Sequence, residues 1–158
     1  MNHYAVIDLG TNTFHLLIAV PAHSGFKVLY KERRFVKLAE NGIERIGEIP
    51  YQRGLNAIHH FNDVLKEHQI QEVRAFGTAA LRTASNGQQF IEEVQQQTGI
   101  VVQLISGDRE AALIHKGVVQ ALPAIAENIL IMDIGGGSVE FIISNQAHVF
   151  GHRVFQLV

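Results

Sequence analysis

Two apolar runs of strand character open the chain, Tyr4-Ala-Val-Ile7 and Phe14-His-Leu-Leu-Ile-Ala-Val20, separated by Asp8-Leu-Gly-Thr-Asn-Thr13. Aliphatic and β-branched runs split by a Gly/Asn turn predict a strand, a tight turn and a returning strand. Ser24-Gly25 marks the next turn, and Phe26 to Val36 forms a third run with imperfect alternation. From Pro50 the period changes: Leu55, Ile58, Phe61 and Leu65 recur at helical spacing to about Glu67. The proline falls in the first turn, where its missing N–H costs nothing. Val73 to Phe76 reads as a short strand, and Phe90, Ile91 and Val94 as a second helix that Gly99 ends. Ile100 to Ile105 is again strand-like, and from Gly107 a third helical stripe carries Leu113, Gly117, Val118 and Ala121, closed by Pro123.

The order βββαβαβα implies an antiparallel hairpin set extended by parallel strands through right-handed crossovers, an α/β lobe of the ribonuclease-H-like type. After Pro123 the opening pattern returns. Asn128-Ile-Leu-Ile-Met-Asp-Ile-Gly-Gly-Gly-Ser-Val-Glu-Phe-Ile-Ile143 is again an apolar strand, an Asp, an aliphatic residue, a Gly and a second apolar strand. Asp8 and Asp133, Gly10 and Gly135, and Thr13 and Ser138 fall in one register, each pair 125 positions apart. A repeat of that period is lobe-sized. Residues 1–125 therefore read as one complete lobe, and residues 126–158, with a third strand over Val149 to Val158, as the first strands of a second, incomplete lobe.

Composition narrows the chemistry. The 158 residues are 47% hydrophobic with a formal charge of -2, which places the chain among ordinary globular proteins. It contains no cysteine, so thiol catalysis, disulfides and cysteine-based zinc sites are excluded. The balanced charge leaves no sequence-wide footprint for nucleic acid or an anionic membrane, so a polyanion must be met locally. Asp8 interrupts the first apolar stretch and no basic leader precedes it, so that stretch does not read as a secretory signal. No uncharged run reaches the roughly 18 residues of a spanning helix, and a soluble cytoplasmic protein is the expectation.

Each Asp-aliphatic-Gly turn ends a strand with a carboxylate and follows it with residues whose backbone N–H groups can point at a ligand, the form of a phosphate-binding concavity. Asp8 and Asp133 would hold Mg²⁺ through water, since that ion keeps several waters and takes one or two carboxylates. A single Asp-Gly turn is usually only a turn; two in register, on facing lobes, can clamp one phosphate chain. Glu110, after Ser106-Gly-Asp-Arg109, is either a first-turn acid favouring the helix dipole or a general base facing the loops. Glu140 is either a solvated strand residue or a buried acid serving a metal. Arg82 stands at a strand-to-helix edge, where a bidentate phosphate contact competes with a free surface arginine. Lys31, Arg33, Arg34 and Lys37 form the one basic cluster, three of them sharing strand parity, which suits either a polyanion or a charge-guarded edge. His59-His60 reads as a surface pair.

Four ordered motifs, Asp8-Leu-Gly-Thr-Asn-Thr-Phe, Gly77-Thr-Ala-Ala-Leu-Arg-Thr-Ala-Ser-Asn, Ile105-Ser-Gly-Asp-Arg-Glu-Ala and Asp133-Ile-Gly-Gly-Gly-Ser-Val-Glu, resemble the exopolyphosphatase and guanosine pentaphosphate phosphohydrolase family of the actin-like ATPase superfamily. The resemblance implies a magnesium-dependent hydrolase that releases terminal phosphate from inorganic polyphosphate or guanosine pentaphosphate. It implies Glu110 as catalytic base, Asp133 and Glu140 as metal residues, and Asp8 as part of the first phosphate loop. Gly10, Thr11, Asn12 and Thr13 become the first phosphate loop, Gly135, Gly136, Gly137 and Ser138 the second, with Thr78 and Arg82 on substrate. Val139 and Ala79 stand where polar residues are common in that family, and Lys37-Leu38-Ala39 replaces a common Arg-Leu-Gly. The chain covers only the amino-terminal part of such proteins, so it is expected to be inactive alone. Its aliphatic strands Ile129 to Ile134 and Phe141 to Ile143, uncovered by helices, are expected to drive self-association or dimerisation. An ATPase or sugar kinase of the same superfamily, and a non-catalytic phosphate-chain binding module, are the competing readings.

Overall fold

The computed structural model describes residues 3–23, 25–123 and 127–156. Ser24 and the boundary placed at 125/126 lie outside them, as do the last two residues of the expected final strand. Strands β1 (Tyr4–Leu9), β2 (Thr13–Pro21) and β3 (Phe26–Phe35) run antiparallel. Helix α1 (Glu48–Glu67) leads to β4 (Glu72–Gly77), which returns parallel to β1. A short helix α2 (Ala79–Thr83), then α3 (Gly87–Thr98), lead to β5 (Val102–Leu104), parallel to β4. The five strands lie in the order β3-β2-β1-β4-β5. Helix α4 (Gly107–Ala121) carries the chain to a separate antiparallel sheet, β6 (Ile129–Ile134), β7 (Ser138–Ser144) and β8 (Val149–Gln156), in the order β6-β7-β8.

The predicted order holds, with α2 added. It sits in a segment too short to show a helical period, and Arg82 N–H closes on the Thr78 carbonyl at 2.9 Å. α1 begins two residues ahead of Pro50, behind an extended Gly47. β5 is trimmed to three residues because only that stretch pairs with β4.

The first sheet buries one face beneath α1 and α3. Alternate residues Ala5, Ile7 and Leu9 of β1 and Phe14, Leu16 and Ile18 of β2 are nearly or fully inaccessible and meet Ile58, Phe61 and Phe90. Phe90 anchors the layer: Phe14 packs on it edge-on at 6.3 Å and Tyr51 at 5.1 Å. Gly54 lets α1 approach, since a Cβ there would stand 2.9 Å from the Phe90 ring. His59 and His60 do lie at the surface, His59 exposed and His60 partly so, and both make side-chain contacts. They tie α1 to α3 and β3, through Gln97 at 2.6 Å and Glu32 at 2.9 Å.

The second sheet corrects one expectation. It does carry a helix: α4 packs on it, with Ala111 against Ile131 and Ile142, flanked by Ile114, Val118 and Ile129. The helix counted as the last layer of the first lobe thus covers the second sheet. Its buried stripe is Ala111, Ile114, His115 and Val118, an i, i+3, i+4, i+7 set, and not the one through Gly117 and Ala121. The opposite face stays bare, with Leu130, Met132, Ile134, Ile143 and Phe155 exposed.

Candidate functional site

The two repeated turns fold alike. Gly10 N–H donates to the Thr13 carbonyl at 3.2 Å, and Gly135 N–H to the Ser138 carbonyl at 2.9 Å. A Cβ would lie 2.9 Å from the Thr13 oxygen in the first turn and 3.2 Å from the Ser138 oxygen in the second, so a side chain would clash at Gly10 and crowd the turn at Gly135. In each hairpin the Asp sits opposite one partner: Asp8 opposite His15, Asp133 opposite Glu140.

Both turns open on one cleft of about 430 Å³. Asp8, Gly10, Thr11, Asn12 and Thr13 line it from the first sheet, and Asp133, Gly135, Gly136, Gly137, Ser138 and Glu140 from the second. Thr78 and Ala79 come from the end of β4, and Glu110 from the first turn of α4. The turns touch across the cleft: a Cβ on Gly136 would overlap the Asn12 side-chain amide, and one on Gly137 would stand 3.0 Å from Thr11 Oγ1.

Glu110 is aimed by its helix start. Ser106 caps α4, its Oγ accepting the Arg109 N–H at 3.2 Å, which fixes the turn that carries Glu110. Arg82 is the one predicted site residue that does not line the cleft. Its Nη1 donates to the Ile105 carbonyl at 2.7 Å and to Glu110 Oε2 at 3.3 Å, so it grips the glutamate from behind. Burial pushes the Glu110 carboxyl above its ordinary range; Arg82 pulls it back, while Glu140 and Asp8 add to the rise. Asp8 reaches solvent through the cleft mouth yet is crowded by protein. That desolvation raises its pKa, opposed by His15 and reinforced by Asp133. Glu140 is 1% exposed and accepts the Ser138 hydroxyl at 2.7 Å, so it is a buried acid and not a solvated strand residue. Val139, on the other face of β7, is outside the cleft, so of the two departures only Ala79 removes a polar atom from its wall. Among the described residues no three His, Asp or Glu side chains converge tightly enough to hold a metal ion by themselves.

Three lining residues went unrecognised in the sequence, His15, Phe35 and Ile134, whereas Lys37 stands out there only as one of a basic cluster and in the segment that replaces Arg-Leu-Gly. His15 was legible, because it stands 125 positions before Glu140 and so occupies the same place in the first turn. Lys37 has a left-handed backbone, φ 47, a conformation costing an L-residue about 1 kcal/mol. Three backbone donors of its segment hold it there: Val36 and Lys37 N–H on the Asn12 carbonyl, at 2.9 and 3.0 Å, and Leu38 N–H on Thr11 at 2.7 Å. The segment is thereby strapped to the first loop.

The sequence model of the Ppx/GppA phosphatase family matches residues 17–151. The chain belongs to that family. It is 38% identical over 143 residues to a guanosine-5'-triphosphate,3'-diphosphate pyrophosphatase of Vibrio parahaemolyticus, a match covering 89% of this chain and 28% of the relative. The corresponding Vibrio cholerae protein is 37% identical over the same span. The chain therefore covers little more than a quarter of the curated Ppx/GppA relatives it matches. The crystal structure of an exopolyphosphatase from Cytophaga hutchinsonii superposes with a TM-score of 0.95 at 41% identity, over 99% of this chain and 51% of that one. MreB5 of Spiroplasma citri bound to ADP, at TM-score 0.51 and 12% identity, shares the fold alone, which places this Ppx/GppA chain within the actin-like architecture. No helix among the described residues is long and apolar enough to cross a membrane.

Proposed function

We propose that this cleft serves Mg²⁺-dependent release of terminal phosphate from inorganic polyphosphate or guanosine pentaphosphate, as part of a longer protein that finishes the second lobe. The observation that carries the reading is the pair of matched glycine turns, each behind a carboxylate, opening on one cavity with Glu110 between them. Backbone N–H groups of the two turns, other than those of Gly10 and Gly135 that close them, cradle successive phosphates, as glycine-rich concavities do. Glu110 accepts a proton from water as the water oxygen bonds to the terminal phosphorus and the bridging P–O bond breaks; the shortened chain leaves with the bridging oxygen. Its raised pKa makes it the stronger base, and Arg82 keeps it ionised and aimed.

The donor chemistry fits a hard cation. Asp8, Asp133, Glu110 and Glu140 give an all-oxygen wall whose mutual repulsion is already felt at Asp8 and Glu110. Mg²⁺ keeps several waters and takes one or two carboxylates, so a wall without a closed protein cage suits it, with Asp8, Asp133 and Glu140 as the holding residues. When bound, the ion supplies charge neutralisation on the phosphates. A cytoplasmic location belongs to the same proposal, and self-association through the bare face of the second sheet is proposed for this chain by itself.

The test offers polyphosphate, guanosine pentaphosphate and ATP to the full-length protein with Mg²⁺. Phosphate release from either of the first two supports the reading. ATP-dependent phosphorylation of a sugar, with no release from the others, contradicts it.

A further inference from the structure

β3 is the edge strand of the first sheet, and its two faces differ in charge pairing. Residues on the helix side are neutralised: Glu32 takes Arg34 at 3.0 Å and His60 at 2.9 Å, and the neighbouring Arg53 of α1 is held by Glu40 at 3.1 Å. On the other face Lys31, Arg33 and Phe35 alternate outward, and Lys37 follows where the strand ends in the cleft. Lys31, Arg33 and Lys37 are all exposed and, among the described residues, none has an ion-pair partner. Guarding an edge strand against pairing needs charge, but not charge sorted by face with one face paired and the other left free.

The free face joins the cleft. Arg33 stands opposite His15, and His15 opposite Asp8, so one row crosses the sheet from the catalytic carboxylates to the edge. Arg33 is also restrained, its guanidinium 5.5 Å from the centre of the Phe35 ring, within reach of a cation–π contact. Same-face positions on a strand lie about 7 Å apart, so Lys31 to Phe35 spans about 14 Å, and Lys37 stands past the strand end at the cleft. The carboxylates occupy one end of this path and the unpaired cations the other.

We infer that the outer face of β3 is a track for the distal part of an extended phosphate chain, making inorganic polyphosphate longer than the cleft the ligand this site favours. The inference rests on the cleft binding the chain's terminal phosphates and adds a second, remote contact. Lys37 hands the chain from the loops to Arg33, and Arg33 to Lys31. A short chain fills the cleft and never reaches Arg33.

Binding tests it. Affinity of the full-length protein is measured with Mg²⁺ by calorimetry for sodium tripolyphosphate, long-chain polyphosphate and a single-stranded RNA oligomer. The unaltered protein is compared with Lys31→Glu/Arg33→Glu and with the milder Lys31→Gln/Arg33→Gln, circular dichroism reporting the fold of each. The expected result is long-chain affinity roughly tenfold lower in the neutral pair, with a shallower salt dependence because two phosphate contacts no longer release counterions, and tripolyphosphate affinity unchanged. Long-chain affinity unmoved in both variants overturns the track. Equal losses for tripolyphosphate and long chain overturn it too, as does RNA binding as tight and as sensitive as polyphosphate. No tripolyphosphate binding to the unaltered full-length protein, or binding indifferent to Asp8→Asn, instead overturns the cleft reading itself.

Discussion

The two sheets carry the same turn and very different cores. In the first, β1 and β2 bury alternate residues under α1 and α3, and the apolar cluster includes Phe14, Phe61 and Phe90. In the second, three buried residues, Ala111, Ile131 and Ile142, hold a single helix, and the far face exposes Leu130, Met132 and Ile134. Yet Gly10 and Gly135 close the same hydrogen bond. Loop geometry is therefore local, set within a few residues by an acid, a glycine and a small polar residue, while the sheet behind it is set by whatever layers it. The turns also differ where it matters chemically: His15 occupies the position of Glu140, so the first loop has an imidazole where the second has a buried acid.

The largest effect that sharpens this contrast is expected at Phe90. Phe90→Ala removes the ring that Phe14, Tyr51 and Gly54 share and should cost about 3–5 kcal/mol in denaturant unfolding, whereas Leu130→Ala, on the bare face, should stay within about 0.5 kcal/mol. Both are measured in dilute solution, where self-association through the bare face is absent; comparable losses there would break the contrast. Next comes the contact between the loops. Gly136→Ala drives a methyl into Asn12 and should cost about 1–3 kcal/mol by overpacking. Asn12→Gly in the same chain should recover most of it, and a double-mutant cycle with no coupling would mean that the turns do not meet.

Acid titration gives the smallest effect, with a definite sign. Asp8 and Glu110 have raised pKa values in the folded state, so the native chain binds protons more tightly than the unfolded one. Their contribution to stability is greatest below about 4 and falls as pH rises through the raised values. Chemical denaturation without divalent cation should therefore show stability from these groups declining upward from the acidic range. Asp8→Asn should flatten the decline, and millimolar Mg²⁺ should do the same by taking over the charge. A curve unchanged by both would break the link between burial and cation binding.

How far the sequence carried the fold follows the same divide. The strand order and the paired turns were readable because alternation and Asp-Gly spacing act over a few residues, and the 125-position offset made each turn a check on the other. α4 was placed correctly along the chain but on the wrong partner. An amphipathic stripe says which face is apolar, not which sheet will meet it, and the stripe through Ala111 and His115 depends on a sheet that comes later in the chain. Arg82 illustrates the limit at the site. An arginine at a strand-to-helix edge suits phosphate, and only the fold shows its guanidinium engaged with Glu110 and the Ile105 carbonyl. Phe35 was missed, and Lys37 stays open between a polyanion contact and a guarded edge, because nothing in an edge strand's charge pattern reveals that its end borders the cleft.

The most direct measurement of the central claim is single-turnover phosphate release by the full-length protein carrying Glu110→Gln, with substrate affinity measured in parallel. The loops and the cation wall bind while Glu110 acts on water, so the account predicts affinity within about threefold of the unaltered protein and a rate reduced by about 10²–10⁴. A rate near that of the unaltered protein, with affinity preserved, would contradict it.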